Sequence, residues 1–196
     1  MLPSVAVGYN CSVARTRPRL LAEEALYEYA IRTLTKCSLT VQELRRRLAR
    51  RTTQSEVTDK VLGRLARVGY LDDKRLANAY VSTKKDQENL GQRRVLIDLR
   101  RRGVPKTIAE EVVLQAYAEA DEGLLIARRL RRNLGENFAD HKITDHKKLL
   151  TLYRSLVRAG FSSDKIGIVL RTIAPDADLP MDFSDQPLDL DEEVFD

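Results

Sequence analysis

The chain has 196 residues, 43% of them hydrophobic and 32% charged, with no Trp and a formal net charge of +5, a balance expected of a soluble, folded, helix-rich protein. Two Cys (Cys11, Cys37) and two His (His141, His146, five apart and so on different faces of a helix) exclude a disulfide framework and make a poor metal set. No apolar run approaches the roughly 20 residues of a membrane span. Arg15, Arg17 and Arg19 follow a short apolar start instead of preceding it, which is unlike a secretory signal and points to the cytoplasm.

Residues 1–20 lack periodicity and are expected to form a flexible arm. Leu20–Leu34 is predicted as a helix, with Leu21, Ala25, Tyr29 and Arg32 near one stripe and Leu26 and Ala30 beside it. Thr40 to Glu43 has capping-box form and should open a helix to about Arg51 that buries Val41, Leu44 and Leu48. Thr53 to Glu56 repeats the device before a helix with Val57, Val61, Leu62 and Leu65 inward, ended by Gly69. Asp72 and Asp73 cap a helix to about Gln87. After Gly91, a helix from Gln92 to Arg102 buries Val95, Leu96 and Leu99 and stops at Gly103. Pro105 belongs near the first turn of the next helix, which turns Ile108, Val112, Val113 and Ala116 inward. Ala120–Leu134 should place Leu124, Ala127, Leu130 and Leu134 on one side. A loop spans Gly135–Thr144, and a helix runs over Asp145–Ala159. After Gly160, Ser162 or Ser163 caps a last helix carrying Ile166, Val169, Leu170 and Ile173, closed by Pro175.

These segments repeat. Leu44 and Leu48 correspond to Val95 and Leu99, and then to Leu152 and Leu156; each second member precedes a basic stretch and a break at Thr52, Gly103 or Gly160. Apolar pairs four apart follow: Val57 and Val61, Ile108 and Val112, Ile166 and Leu170. A period of this length predicts an all-α fold of tandem three-helix repeats in an elongated, curved array, whose modules need not share one core. The boundaries read as repeats over 21–71, 72–118 and 119–175, followed by a disordered acidic tail over 176–196. That tail carries nine of the 29 carboxylates and no Lys or Arg, so the remainder holds 34 cations against 20 anions and should attract polyanions. The tail could serve solubility alone or compete for the cationic faces.

The stretch Gly69-Tyr70-Leu71-Asp72-Asp73-Lys74-Arg75-Leu76-Ala77 resembles the signature joining the first two repeats of RecX proteins, with Leu76 where Phe is usual. Ala25-Leu26-Tyr27 and Glu43-Leu44 with Leu48 resemble the first-repeat pattern of that family. Gly91-Gln92-Arg93-Arg94-Val95 and Leu99 to Val104 resemble the second; Leu156 to Ser162 with Ile166 resembles the third. The likeness covers about residues 22–174. It implies a modulator of RecA that inhibits filament growth, strand exchange and ATPase activity, by lying in the filament groove or blocking an end. The setting it implies is recombination, DNA repair and the SOS response.

Leucine stripes turned inward force arginines outward: Arg45, Arg46, Arg47, Arg50 and Arg51 in the first repeat, and Arg93, Arg94, Arg100, Arg101 and Arg102 in the second. Arg128, Arg129, Arg131 and Arg132 flank Leu130 in the third. A run of charge is often only a solvated face, but no acid lies between Leu44 and Arg51, so a face for phosphate or an acidic protein groove is preferred. Asp72 and Asp73 read as caps, not as catalytic or metal-binding carboxylates, and Tyr70 and Phe161 as packing residues, not base-stacking ones. No phosphate-binding loop or nucleophilic triad is present, so neither enzymatic activity, cofactor nor metal is expected. The expected partners are RecA and its filament, and single- or double-stranded DNA bound weakly without sequence preference, by a monomer and with no membrane. The alternative is a helix-turn-helix-like DNA-binding protein or repressor, although an almost all-Arg face suits phosphates more than bases.

Overall fold

The computed structural model describes residues 21–135 and 145–174, and every element among them is an α-helix. They are α1 (Glu23–Leu34), α2 (Val41–Leu48), α3 (Ser55–Arg67), α4 (Asp73–Asp86), α5 (Gln92–Arg101), α6 (Lys106–Tyr117), α7 (Glu122–Leu134), α8 (His146–Arg158) and α9 (Ser163–Ile173). The third helix of each triplet packs against both helices before it: α3 on α1 and α2, α6 on α4 and α5, α9 on α7 and α8. The fold is therefore a series of three-helix modules. The arm, most of the loop after Gly135, the acidic tail, Cys11, His141 and Pro175 lie outside the described residues.

Local chemistry sets the element ends. In α2, both halves of the capping box form: the Glu43 N–H donates to Thr40 Oγ1 at 3.0 Å, and the Thr40 N–H donates to Glu43 Oε2 at 2.9 Å. Only Leu44 and Leu48 of this short helix are buried, each stabilising it by roughly 1.5–3 kcal/mol, while Val41 is half-buried. The second capping box does not form. Helix α3 starts after Gln54, whose N–H donates to Thr52 Oγ1 at 3.2 Å, so the Thr52 hydroxyl shapes the turn before the helix instead. The N-terminus of α9 is also served unexpectedly. Ser162 donates its N–H and its hydroxyl to Glu122, at the start of α7, at 2.6 and 2.8 Å.

Burial falls into two clusters. Leu26, Ala30, Leu44, Leu48, Val61, Leu62 and Leu65 form one within α1–α3. The second runs without interruption from Ala77 to Ala174, so the second and third modules share a core. Helix α7 is rotated from its predicted face: Leu125, Ile126 and Leu130 are buried, whereas Leu124 and Leu134 are exposed. Four apolar positions along one stripe cannot distinguish the core side from the solvent side when Leu125 and Ile126 offer another. Tyr70 also departs from expectation. It is 48% exposed, because the chain after Gly69 turns Leu71 inward in its place; Phe161 is buried as predicted.

One joint recurs along the series. Thr40, before α2, donates its hydroxyl to the Arg102 carbonyl at the end of α5 at 2.7 Å. Gly91, before α5, donates its N–H to the Ala159 carbonyl at the end of α8 at 2.8 Å. In both cases the start of one module's second helix meets the end of the next module's second helix. The meeting is close enough to demand glycine. A Cβ on Gly160 (φ +89°) would lie 2.3 Å from the Arg94 nitrogen, and one on Gly103 (φ +85°) 2.6 Å from Gln42 Cβ. The corresponding carbonyl in the first module, that of Arg51, accepts from the Leu21 N–H at 2.7 Å.

Candidate nucleic-acid interface

The fourteen arginines divide by what holds them. Arg46, Arg50, Arg93, Arg101 and Arg128 are exposed, and their side chains make no hydrogen bond or ion pair among the described residues. Arg100 and Arg131 are exposed, each with an interaction of its own. Arg45 meets Asp59 at 2.5 Å with both groups about half exposed, so water and salt can compete for it. Arg94 is held by Asp98 one turn on, at 3.1 Å.

Three arginines serve the fold. Arg102 donates to Glu43 through Nε (2.9 Å) and Nη2 (3.1 Å), and from Nη2 to the Ser38 carbonyl at 3.1 Å, with the Tyr80 ring 5.4 Å away. It binds the second module to the first. Burial pushes the Glu43 carboxyl up, but the hydrogen bonds from Arg102 and the Thr40 N–H, with the Arg102 and Arg47 charges, outweigh it and hold the pKa below the ordinary range. The half-buried Arg129 donates to the Glu88 carbonyl at 2.9 Å, and Arg132 donates to the Gln87 carbonyl. Both clamp the α4–α5 loop onto α7. Burial, and then the Arg132 charge, lower the pKa of Arg129.

Arg47 and Arg51 line an open groove of about 530 Å³ between α1 and α2. Leu21, Ala25, Tyr29 and Arg32, the stripe read from the sequence of α1, line it too, so that stripe faces the groove while Leu26 and Ala30 face the core. The Arg51 guanidinium lies 4.9 Å from the Tyr29 ring centroid. No helix among the described residues is long and apolar enough to cross a membrane.

Residues 72–113, which include α4 and α5 with their arginines, match the family description of the second three-helix domain of RecX. The regulatory protein RecX of Trichlorobacter lovleyi is 34% identical over 140 residues, covering 71% of this chain and 90% of the relative. The chain belongs to the RecX family. A second RecX regulatory protein, from Thermus thermophilus, is 39% identical over 111 residues, 57% of this chain and 74% of that one. The crystal structure of RecX from Lactobacillus salivarius superposes with a TM-score of 0.60 at 21% identity, over 77% of this chain and 96% of that one, and supports the fold.

The RecX signature stretch acquires a physical role in this fold. Gly69 takes φ +78° to end α3, and Asp72 caps α4 by accepting from the Arg75 N–H at 2.9 Å. Asp73, also read as a cap of its own helix, reaches back to accept from the Val41 N–H at 3.0 Å, capping α2 of the preceding module. No local spacing announces that contact, which spans 32 residues. Among the described residues no group of His, Cys, Asp and Glu is placed to hold a metal.

Proposed function

We propose that this RecX-family chain binds RecA and RecA–DNA filaments in the cytoplasm as a monomer and restrains filament growth, strand exchange and ATPase activity, without catalysing a reaction itself. Its repeats span 21–71, 72–118 and 119–175, and each contributes cations to the contact. The observation that carries this reading is that five of the fourteen arginines singled out in the sequence, Arg46, Arg50, Arg93, Arg101 and Arg128, on or beside α2, α5 and α7, are exposed and make no hydrogen bond or ion pair among the described residues. Such side chains are costly to crowd on a +14 body unless an anionic surface covers them. DNA phosphate is one such surface and acidic protein another.

The test adds the protein below stoichiometry to RecA and measures DNA-dependent ATP hydrolysis. Wild type lowers the rate, and replacing the five arginines by Ala weakens the effect; no effect of wild type at any ratio overturns the proposal. If all five meet duplex phosphates, the same variant loses about four to five units from the slope of log affinity against log salt. Footprinting separates this from a repressor: binding here is salt-sensitive and protects no single sequence.

A further inference from the structure

None of the five outward arginines belongs to the lining of the groove between α1 and α2, and that lining is selective. Ala25 and Tyr29 form an apolar and aromatic floor, and Arg32, Lys36, Arg47 and Arg51 supply the charge. Among the described residues, no carboxylate belongs to the lining. Arg32 is held only by Glu28 on its own helix, at 3.1 Å with both groups well exposed, a pair that water and salt weaken readily. Arg32 lies in the last turn of α1 and Arg47 in the last turn of α2, with Lys36 and Arg51 in the turns that follow, so each helix end supplies two cations to the lining. The Arg51 guanidinium lies over the Tyr29 ring, 4.9 Å from its centroid, within cation–π range. The volume falls within the about 300–1,000 Å³ usual for small-ligand sites.

Uniformly cationic walls, a planar guanidinium on an aromatic ring and no carboxylate match one chemistry well. A nucleotide in a single strand presents a flat π surface joined to a phosphate. An acidic peptide would use the cations but has no need of the aromatic ring and the guanidinium over it. We propose that this groove takes a nucleobase of single-stranded DNA, which extends the Tyr29–Arg51 pair while flanking phosphates meet Lys36 and Arg47. The proposal rests on the DNA-binding reading above and adds to it a preference for unpaired strands, because a base within a duplex cannot enter.

Fluorescence anisotropy with the full chain tests this, using a labelled oligothymidine and an abasic strand of equal length and charge at one salt concentration. Wild type should bind the thymidine strand about fivefold to hundredfold more tightly, the usual effect of one stacked base. Ala25→Leu fills the floor without altering charge and should abolish the preference while leaving abasic binding unchanged. Tyr29→Ala should do the same, with circular dichroism to show that the fold survives. Replacing Arg46, Arg50, Arg93, Arg101 and Arg128 by Ala should weaken both strands alike and keep their ratio. Equal affinity of wild type for the two strands overturns the groove proposal and leaves the arginine faces standing; that is also the result if residues 1–20 or an acidic peptide fill the groove. A preference retained in Ala25→Leu overturns it too, and binding of neither strand overturns both readings.

Discussion

Replacing Arg102 separates the two uses of arginine in this chain. Its guanidinium makes two hydrogen bonds to Glu43 and one to the Ser38 carbonyl, and the two side chains are only 27% and 24% exposed. Arg102→Ala removes all three bonds and leaves Glu43 partly desolvated, although still joined to the Thr40 N–H. A hydrogen bond to a charged group contributes about 1.5–3 kcal/mol when protected; partial exposure and shared geometry keep the three from adding, so the loss should be about 2 kcal/mol. For a chain of this size, that lowers the melting temperature by about 4–8 °C if the modules unfold together. Far-UV circular dichroism with heat and urea reads it. Glu43→Gln keeps an acceptor for the capping box while removing the charge, so a double-mutant cycle of Arg102→Ala and Glu43→Gln isolates the ion pair. A coupling of about 1 kcal/mol or more is expected, and Arg46→Ala should change stability by under about 0.5 kcal/mol. A coupling below about 0.3 kcal/mol, or equal losses for Arg102→Ala and Arg46→Ala, would refute the assignment of Arg102 to the joint.

The close approach at Gly160 predicts that Gly160→Ala costs more than Gly69→Ala by about 2 kcal/mol or more in urea unfolding: both have positive φ, but only Gly160 has backbone within 3 Å of the added carbon. Comparable losses would mean that the joint can open without cost. A pH series should show a joint contribution that is complete at neutral pH and lost as pH falls through and below the carboxylate range, because Glu43 has a lowered pKa in the fold. Asp73 works in the opposite sense, its pKa raised first by burial, so Asp73→Asn should steepen the acid loss. A pH profile unaffected by Glu43→Gln would contradict this account.

Most of the helical framework was legible because it is local. Leucines and valines four apart, a Thr-to-Glu capping box and glycines at helix ends mark α2, α3, α5 and α8 without knowledge of their neighbours. The limits appear where distant residues decide. Thr53-to-Glu56 has capping-box form, yet Thr52 takes over the turn. Helix α7 carries apolar residues on more than one side, and only packing against α9 and the second module chooses among them. The arginines divide for the same reason. Spacing puts Arg46 and Arg50 outside, but nothing near Arg102 in sequence announces Glu43, 59 residues away. Arg129 and Arg132 likewise look like surface charges until the α4–α5 loop comes to rest on them.

The carbonyl that receives each preceding module has a counterpart in the first one, and the chain spends it on itself. Leu21 supplies the donor that Thr40 and Gly91 supply further along. A second molecule presenting the start of its α8 would find that acceptor already satisfied. The joint repeated along the series therefore begins, at the first module, with a contact made inside the chain: Arg51 receives the backbone of Leu21 where Arg102 and Ala159 receive the module before them.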